Sequence, residues 1–379
     1  MDLVLVTIMN KLENPRIHGR TSYPLNEIIL VAFATILCGG EGYADMKLFG
    51  ESKLKFFKTL LPFENGIPSE DTFERVFKII NPKEFQKCFM EWISYLKKIG
   101  QKVKDADTEI VSIDGKNLLL SGNRTQQVKP LNLVNAWASA NRCVLGCHAV
   151  ESKANEITAI PEVLKLLSLK GTVVTIDAIG CQKHIVDQII EQNSDFVIAL
   201  KGNQGNLHDE VKTFFEMEEK NAFKNVVVQR TTTSEKDHGR FEKREYIMYS
   251  NVDWLKQRNP CWDSIRSIGL VRAKRVTNNA TTEETRYYIS SLENNIELFA
   301  KAVRMHWGVE NSLHWRLDVV FREDDCRVRD RNAAENLGIM RRCAVSIFAN
   351  EPSKISQRGR RLKAGWDHHY LKKLLFQNF

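Results

Sequence analysis

The eight cysteines, at positions 38, 88, 143, 147, 181, 261, 326 and 343, form no Cys-x-x-Cys pair, and no histidine cluster completes a zinc pattern. A zinc-finger module and a disulfide-stapled scaffold are therefore excluded as readings, and free thiols in a reducing compartment are the default. The longest apolar stretch, residues 28–38, is too short to cross a bilayer and carries no signal-peptide cleavage pattern, so it reads as a core helix. There is no low-complexity tract. No obvious serine or tyrosine nucleophile motif is present either. The expectation is a cytoplasmic globular protein with no membrane partner.

The chain is long enough, at 379 residues, for two or three domains, each with its own core. The formal net charge is +8. Lysine and arginine gain affinity by displacing phosphate counterions, so this balance raises the prior for a polyanionic partner.

Two short β-branched runs each end in aspartate: Ile110-Val111-Ser112-Ile113-Asp114 and Val173-Val174-Thr175-Ile176-Asp177. Each has strand length and is followed by a small residue, so each reads as a buried strand with a carboxylate at its C-terminal end. A third carboxylate, Glu310, lies far downstream. Val303, Trp307, Leu313 and Leu317 fall around it at helical spacing, which puts Glu310 on the stripe expected to face the protein body. A carboxylate there is costly unless it is paired or binds a metal. Turn formation by the aspartates and an arginine partner for Glu310 are the alternatives.

Residues 1–105 read as helical. A helix over 25–38 precedes the turn Gly39-Gly40-Glu41-Gly42, helical spacing continues over 46–60, and Ser69 is a candidate N-cap for the next helix. Another amphipathic helix follows over 85–99. Two helices joined by a turn fit either a helix-turn-helix or a plain packing domain. The polar stretch 101–107 reads as a linker. Strands over 131–140 and 143–150, joined by a tight turn at Asn141-Arg142, complete an antiparallel meander with the Asp114 strand. A helix over 157–169 carries Pro161 in its first turn. The Asp177 strand, a helix over 182–192 and a strand from Asp195 follow. This β-β-β-α-β-α-β order predicts a mixed sheet flanked by helices. After a charged helix over 207–220, strand-like runs at 226–229, 243–249, 268–276 and 285–290 predict a β-rich insertion. A helix resumes near Ile296 and carries Glu310. Another spans 332–350, and a basic tail ends the chain.

Several stretches together resemble the DDE transposases of bacterial insertion sequences, in the group that includes the H-repeat-associated proteins. They include Gly66-Ile67-Pro68-Ser69-Glu70-Asp71-Thr72, Ser112-Ile113-Asp114-Gly115-Lys116 and Asp177-Ala178-Ile179-Gly180-Cys181-Gln182-Lys183. Lys201-Gly202-Asn203-Gln204-Gly205, His238-Gly239-Arg240 and His306-Trp307-Gly308-Val309-Glu310-Asn311 continue the series in family order over nearly the whole chain. The resemblance implies an RNase H-like catalytic domain with Asp114, Asp177 and Glu310 as its metal-binding triad. It further implies two Mg2+ ions, with Mn2+ able to substitute. Two such ions activate the attacking oxygen and stabilise the leaving one in phosphoryl transfer.

On this reading residues 1–105 form a helical N-terminal domain. The catalytic domain is split between 106–204 and 296–350 by the β-rich insertion 205–295, and 351–379 form a basic tail. The implied activity is binding of double-stranded DNA at element ends, cleavage, and joining of the 3′-hydroxyl to target DNA, as a dimer on DNA at the nucleoid. A catalytically silent DNA-binding relative and an RNase H-like nuclease are the rival readings. Lys116, Lys201, Asn203 and Gln204 fall just past strand ends, on the carboxylates' edge, and are candidates for the DNA backbone, as are His238, Arg240 and Arg316. Related groups carry a tyrosine, an arginine and a lysine at set spacings around the glutamate. Here Val303 and His306 take the first two places and Arg316 falls one residue short of the third. His306 and His314 flank Glu310 as packing or orienting residues. Trp307 and Trp315 read as core.

Overall fold

The computed structural model describes residues 4–17, 19, 21–100, 108–122, 127–150, 156–237, 240–277 and 280–376. The predicted linker 101–107 and His238 lie outside the described residues. Nine strands make one mixed sheet in the order β3-β2-β1-β4-β5-β9-β8-β7-β6, with helices around it. Its strands are β1 (Ile110–Leu118), β2 (Leu131–Ala138), β3 (Cys143–Val150), β4 (Val173–Ile176), β5 (Asp195–Leu200), β6 (Gln229–Asp237), β7 (Arg240–Tyr249), β8 (Ser267–Val276) and β9 (Thr281–Ser290). This is the α/β, RNase H-like architecture expected from the sequence. No helix among the described residues is long and apolar enough to cross a membrane.

The chain divides into two compact units. One comprises 108–114 and 156–309. In it β1 pairs in parallel with β4, and β4 with β5, while β5, β9, β8, β7 and β6 pair antiparallel in turn. The insertion thus extends the sheet through β9. Its first strand lies later than predicted: the apolar run at 226–229 gives way to the polar β6. As the outermost strand, β6 is set by its ladder with β7 rather than by burial. The helix Ile296–His306 lies on this sheet, with Phe299, Ala302 and Val303 packed among Val173, Val197, Tyr246 and Val271. The preceding helix Glu156–Lys165 carries Pro161 beyond its first turn, contrary to expectation. There the missing N–H removes one backbone bond to the carbonyl of Ile157.

The other unit comprises 1–107, 115–155 and 310–379. Its centre is the twenty-residue helix Arg331–Asn350, which packs against β2, β3 and the N-terminal helices Leu25–Leu37, Glu70–Ile79 and Pro82–Gly100. Phe33, Phe85, Phe89 and Trp92 interlock edge to face among those helices. Ser69 stands at the predicted N-cap position, but its hydroxyl meets Thr72 Oγ1 at 3.0 Å instead of capping the backbone. At the predicted tight turn, Arg142 adopts a left-handed φ of 48°. The basic tail forms two helices, Gln357–Trp366 and His368–Phe376. In the first, Arg361 is buried and donates to the carbonyls of Ile36 and Val320.

On the central helix, burial pushes the Glu335 carboxyl up to about 7 from an ordinary 4.5, against the pull of Lys83 and the Ala149 backbone. The folded state therefore keeps this proton longer than the unfolded chain. Its contribution is fully present below about pH 4.5 and is lost as pH rises to about 7. Urea unfolding across that window should show the native chain losing stability relative to Glu335→Gln by up to about 1.4 kcal/mol per pH unit. Parallel stability–pH curves for the two proteins would refute this.

Candidate active site

The two acidic runs form the parallel neighbours β1 and β4, with Ile113 opposite Ile176 as the last registered pair. Asp114 and Asp177 are the next residue on each strand. Their parallel direction delivers both carboxylates to the same edge of the sheet. Asp177 ends its strand as expected. Asp114 does not, because β1 runs on to Leu118.

Asp177 caps the short turn Ala178–Gly180, its Oδ1 accepting the N–H of Ile179 at 3.0 Å. Gly180 is needed there: a Cβ would come within 2.2 Å of the Ile176 Cγ2. The loop after β5 clasps this turn. The Asn203 amide donates to the Ala178 carbonyl at 2.7 Å, and the Gln204 amide donates to the Cys181 carbonyl. Asn203 and Gln204, predicted as DNA contacts, are thus occupied in holding the Asp177 turn. Lys201 is exposed beside them.

Beneath the two aspartates runs a buried polar chain. Ser112 Oγ donates to the Met305 carbonyl at 3.3 Å, Thr175 Oγ1 donates to Ser112 at 3.2 Å, and the His306 Nδ1 lies 3.3 Å from the Thr175 hydroxyl. Burial holds the His306 imidazole below its usual pKa, while Asp114 and Asp177 pull it upward. The ring belongs to the aspartates' surroundings, one helical turn before Glu310 in the chain. A signal for this network was present in the parallel patterns Val-Ser-Ile-Asp and Val-Thr-Ile-Asp. Each places a hydroxyl two residues before the carboxylate, on the same strand face.

Glu310 departs from expectation. The helix Ile296–His306 stops short of it, and Glu310 opens a π-helical turn, Glu310–His314, that leads into the helix Trp315–Val319. The wider turn changes the helical phase. Leu313 and Leu317 are buried, while the Glu310 side chain is 59% exposed, with Oε2 3.6 Å from His314 Nδ1. Such π-turns are frequent at functional sites. Trp307 and Trp315, predicted as core, are exposed: Trp315 follows the π-turn, whereas Trp307 stands before it at the end of the helix Ile296–His306, with the Arg286 guanidinium 4.1 Å over its ring.

Lys116 is a buried residue within β1, not a loop residue past it. Its amine pairs with Asp318 at 2.6 Å and Asp324 at 3.3 Å. Arg240 opens β7. Arg316, on the helix Trp315–Val319, is half-buried beside Arg142 and Arg360.

Residues 105–347 match the family described as Transposase DDE domain, and residues 6–93 match the family described as DDE_Tnp_1-associated. The chain is 37% identical to "H repeat-associated putative transposase YhhI" of Escherichia coli (strain K12), over 94% of this chain and 93% of that protein. It is likewise 37% identical, over the same shares, to "Putative protein YbfL" of that strain. Against "Putative transposase YncI" of Escherichia coli O157:H7 it is 34% identical, over 91% of this chain and 87% of that one. With paired aspartates on adjacent parallel strands and similarity running nearly end to end, the chain belongs to the DDE transposase family, alongside the H repeat-associated proteins.

Proposed function

We propose that this chain is the transposase of an insertion sequence. It binds the ends of its element, hydrolyses a phosphodiester there, and joins the freed 3′-hydroxyl to target DNA. The observation that carries this reading is the side-by-side placement of Asp114 and Asp177 over buried hydroxyls and a half-buried imidazole. Glu310 is the third member, four residues beyond His306, whose imidazole both aspartates pull upward in pKa.

Three carboxylates are an all-oxygen donor set, which suits magnesium or manganese and not metals that favour sulfur. Asp114 and Asp177 would hold two such ions, with Glu310 completing the second. When bound, the ions supply Lewis-acid activation of the attacking oxygen and charge neutralisation at the leaving one. The chain's own part is positioning. The Ile179 N–H fixes one Asp177 oxygen, and Asn203 and Gln204 hold the turn behind it. In the first step a water oxygen bonds to phosphorus as the P–O3′ bond breaks, leaving a 3′-hydroxyl. In the second, that hydroxyl attacks a target phosphodiester, and the target's own 3′-oxygen leaves with the proton. The first step is a hydrolysis, and in the second one phosphodiester forms for the one broken, so no outside energy is needed. Joining two ends calls for a dimer on duplex DNA, within the nucleoid.

The direct test is incubation of the purified chain with a labelled duplex carrying its element's end. Nicks at that end in magnesium, absent in EDTA, are expected. Intact duplex in both magnesium and manganese would end the proposal. A second test concerns the clasp. Asn203→Ala should raise the magnesium concentration for half-maximal cleavage by about 10- to 100-fold, the usual cost of removing an outer partner of a metal ligand. An unchanged magnesium titration would show that Asn203 does not position Asp177.

A further inference from the structure

The unit formed by 1–107, 115–155 and 310–379 contains a cavity of about 640 Å3 lined by Arg142, Arg316, Arg360, Ser353 and Gln357. Its volume is in the range of ligand pockets. Arg360 is committed to structure: it pairs with Glu351 at 2.9 Å and donates to the carbonyls of Phe348 and Ser353. Glu351 also accepts from the Ser353 N–H at 3.1 Å, so its charge is spent within the wall. Arg142 and Arg316 have no carboxylate at ion-pair distance among the described residues. Burial and the neighbouring Arg142 and Arg360 together push the Arg316 guanidinium below its usual pKa. Arg142 lines the cavity from an exposed position, and the half-buried Arg316 bears the cost of an uncompensated charge, which an anion in the cavity would relieve.

Two further features agree. Both polar atoms of the Gln357 amide are buried without a hydrogen-bond partner. Gln357 is also the first residue of the ten-residue helix Gln357–Trp366, whose N-terminus carries partial positive charge. Arg142 is placed by its left-handed turn, which Asn350 ties down by donating to the carbonyls of Asn141 and Arg142.

We infer that this cavity is a phosphate-binding site that takes a backbone phosphate of the DNA, held by Arg142 and Arg316 with the Gln357 amide and the helix start behind it. The DNA source is favoured because Arg316 and Glu310 share one short helical segment, six residues apart, or roughly 9 Å of helix rise. A strand whose scissile phosphate lies at Glu310 would place a nearby phosphate at this cavity. The inference rests on the transposase reading and assigns a second, non-reacting contact to the same substrate.

The test is duplex binding by fluorescence anisotropy in EDTA across a salt series. Arg142→Ala/Arg316→Ala should weaken binding about tenfold at 0.1 M salt and flatten the log–log salt slope by about one, the signature of one lost phosphate contact. Lys165→Ala/Lys170→Ala removes the same charge from exposed positions outside the cavity and should leave the slope unchanged. Equal flattening by both pairs, or none by the arginine pair, would overturn the site. A calorimetric titration with inorganic phosphate separates the sources. If phosphate binds but the arginine variant keeps the native duplex slope, the ligand is a free anion and the DNA assignment fails. No divalent ion is present, so failure here leaves the cleavage reading standing. Loss of that reading would in turn appear in cleavage and not in this slope.

Discussion

Asp114→Asn is expected to abolish cleavage of element-end duplex, by about a thousandfold or more, while leaving duplex binding within about threefold. The substitution keeps shape and replaces an acceptor-only carboxylate with a neutral amide that carries two donors. Several kcal/mol of transition-state charge stabilisation would go with the metal ligand, and about 1.4 kcal/mol is tenfold in rate. Asp177→Asn should match it, because the two residues occupy equivalent places on β1 and β4. Nicking in magnesium and anisotropy in EDTA, measured on the same preparation, separate chemistry from binding. An asparagine variant that cleaves within tenfold of the native rate would remove Asp114 from the reaction.

The second large effect is on stability. Glu323 and Arg342 are 0% and 1% exposed and are paired at 2.8 Å, with Arg342 also donating to Asn135 on β2 and to the Gly338 carbonyl at 3.0 Å. Burial alone would push the Glu323 carboxyl up, but Arg342, Arg341 and Lys116 hold it below its ordinary value. Glu323→Gln leaves the guanidinium buried without a counter-charge and should destabilise this unit by about 3–5 kcal/mol in urea unfolding. Replacing both partners with apolar residues, Glu323→Leu with Arg342→Met, should recover most of that loss, because the orphaned charge is the main cost. A single-variant loss below about 1 kcal/mol would mean that water reaches the pair.

The sequence carried the central sheet well. Runs such as Val173–Ile176 are β-branched and buried on both faces, and only a strand in a covered sheet accommodates that. Asp114 and Asp177 were legible because a carboxylate ending such a run breaks the pattern. The surroundings of Glu310 were not. A π-turn has no residue signature, and its change of phase leaves Glu310 and Trp315 exposed while Leu313 and Leu317 are buried. Lys116 was misplaced because strand pairing, not composition, carries β1 past Asp114. The part played by Asn203 and Gln204 was hidden because their acceptors are backbone carbonyls, present in every sequence. The polar β6 was blurred because an outer strand needs no apolar face.

The place of β9 has a consequence for how the chain is made. Ser290 Oγ donates to the Phe196 carbonyl across a sequence separation of 94 residues. While the ribosome is still producing those residues, β5 presents an open ladder of amides and carbonyls, ready to accept a foreign segment. A nascent molecule therefore passes through an interval in which a neighbouring copy can take that berth. Slow translation between β5 and β9 would lengthen the danger, and chaperone occupancy would shorten it.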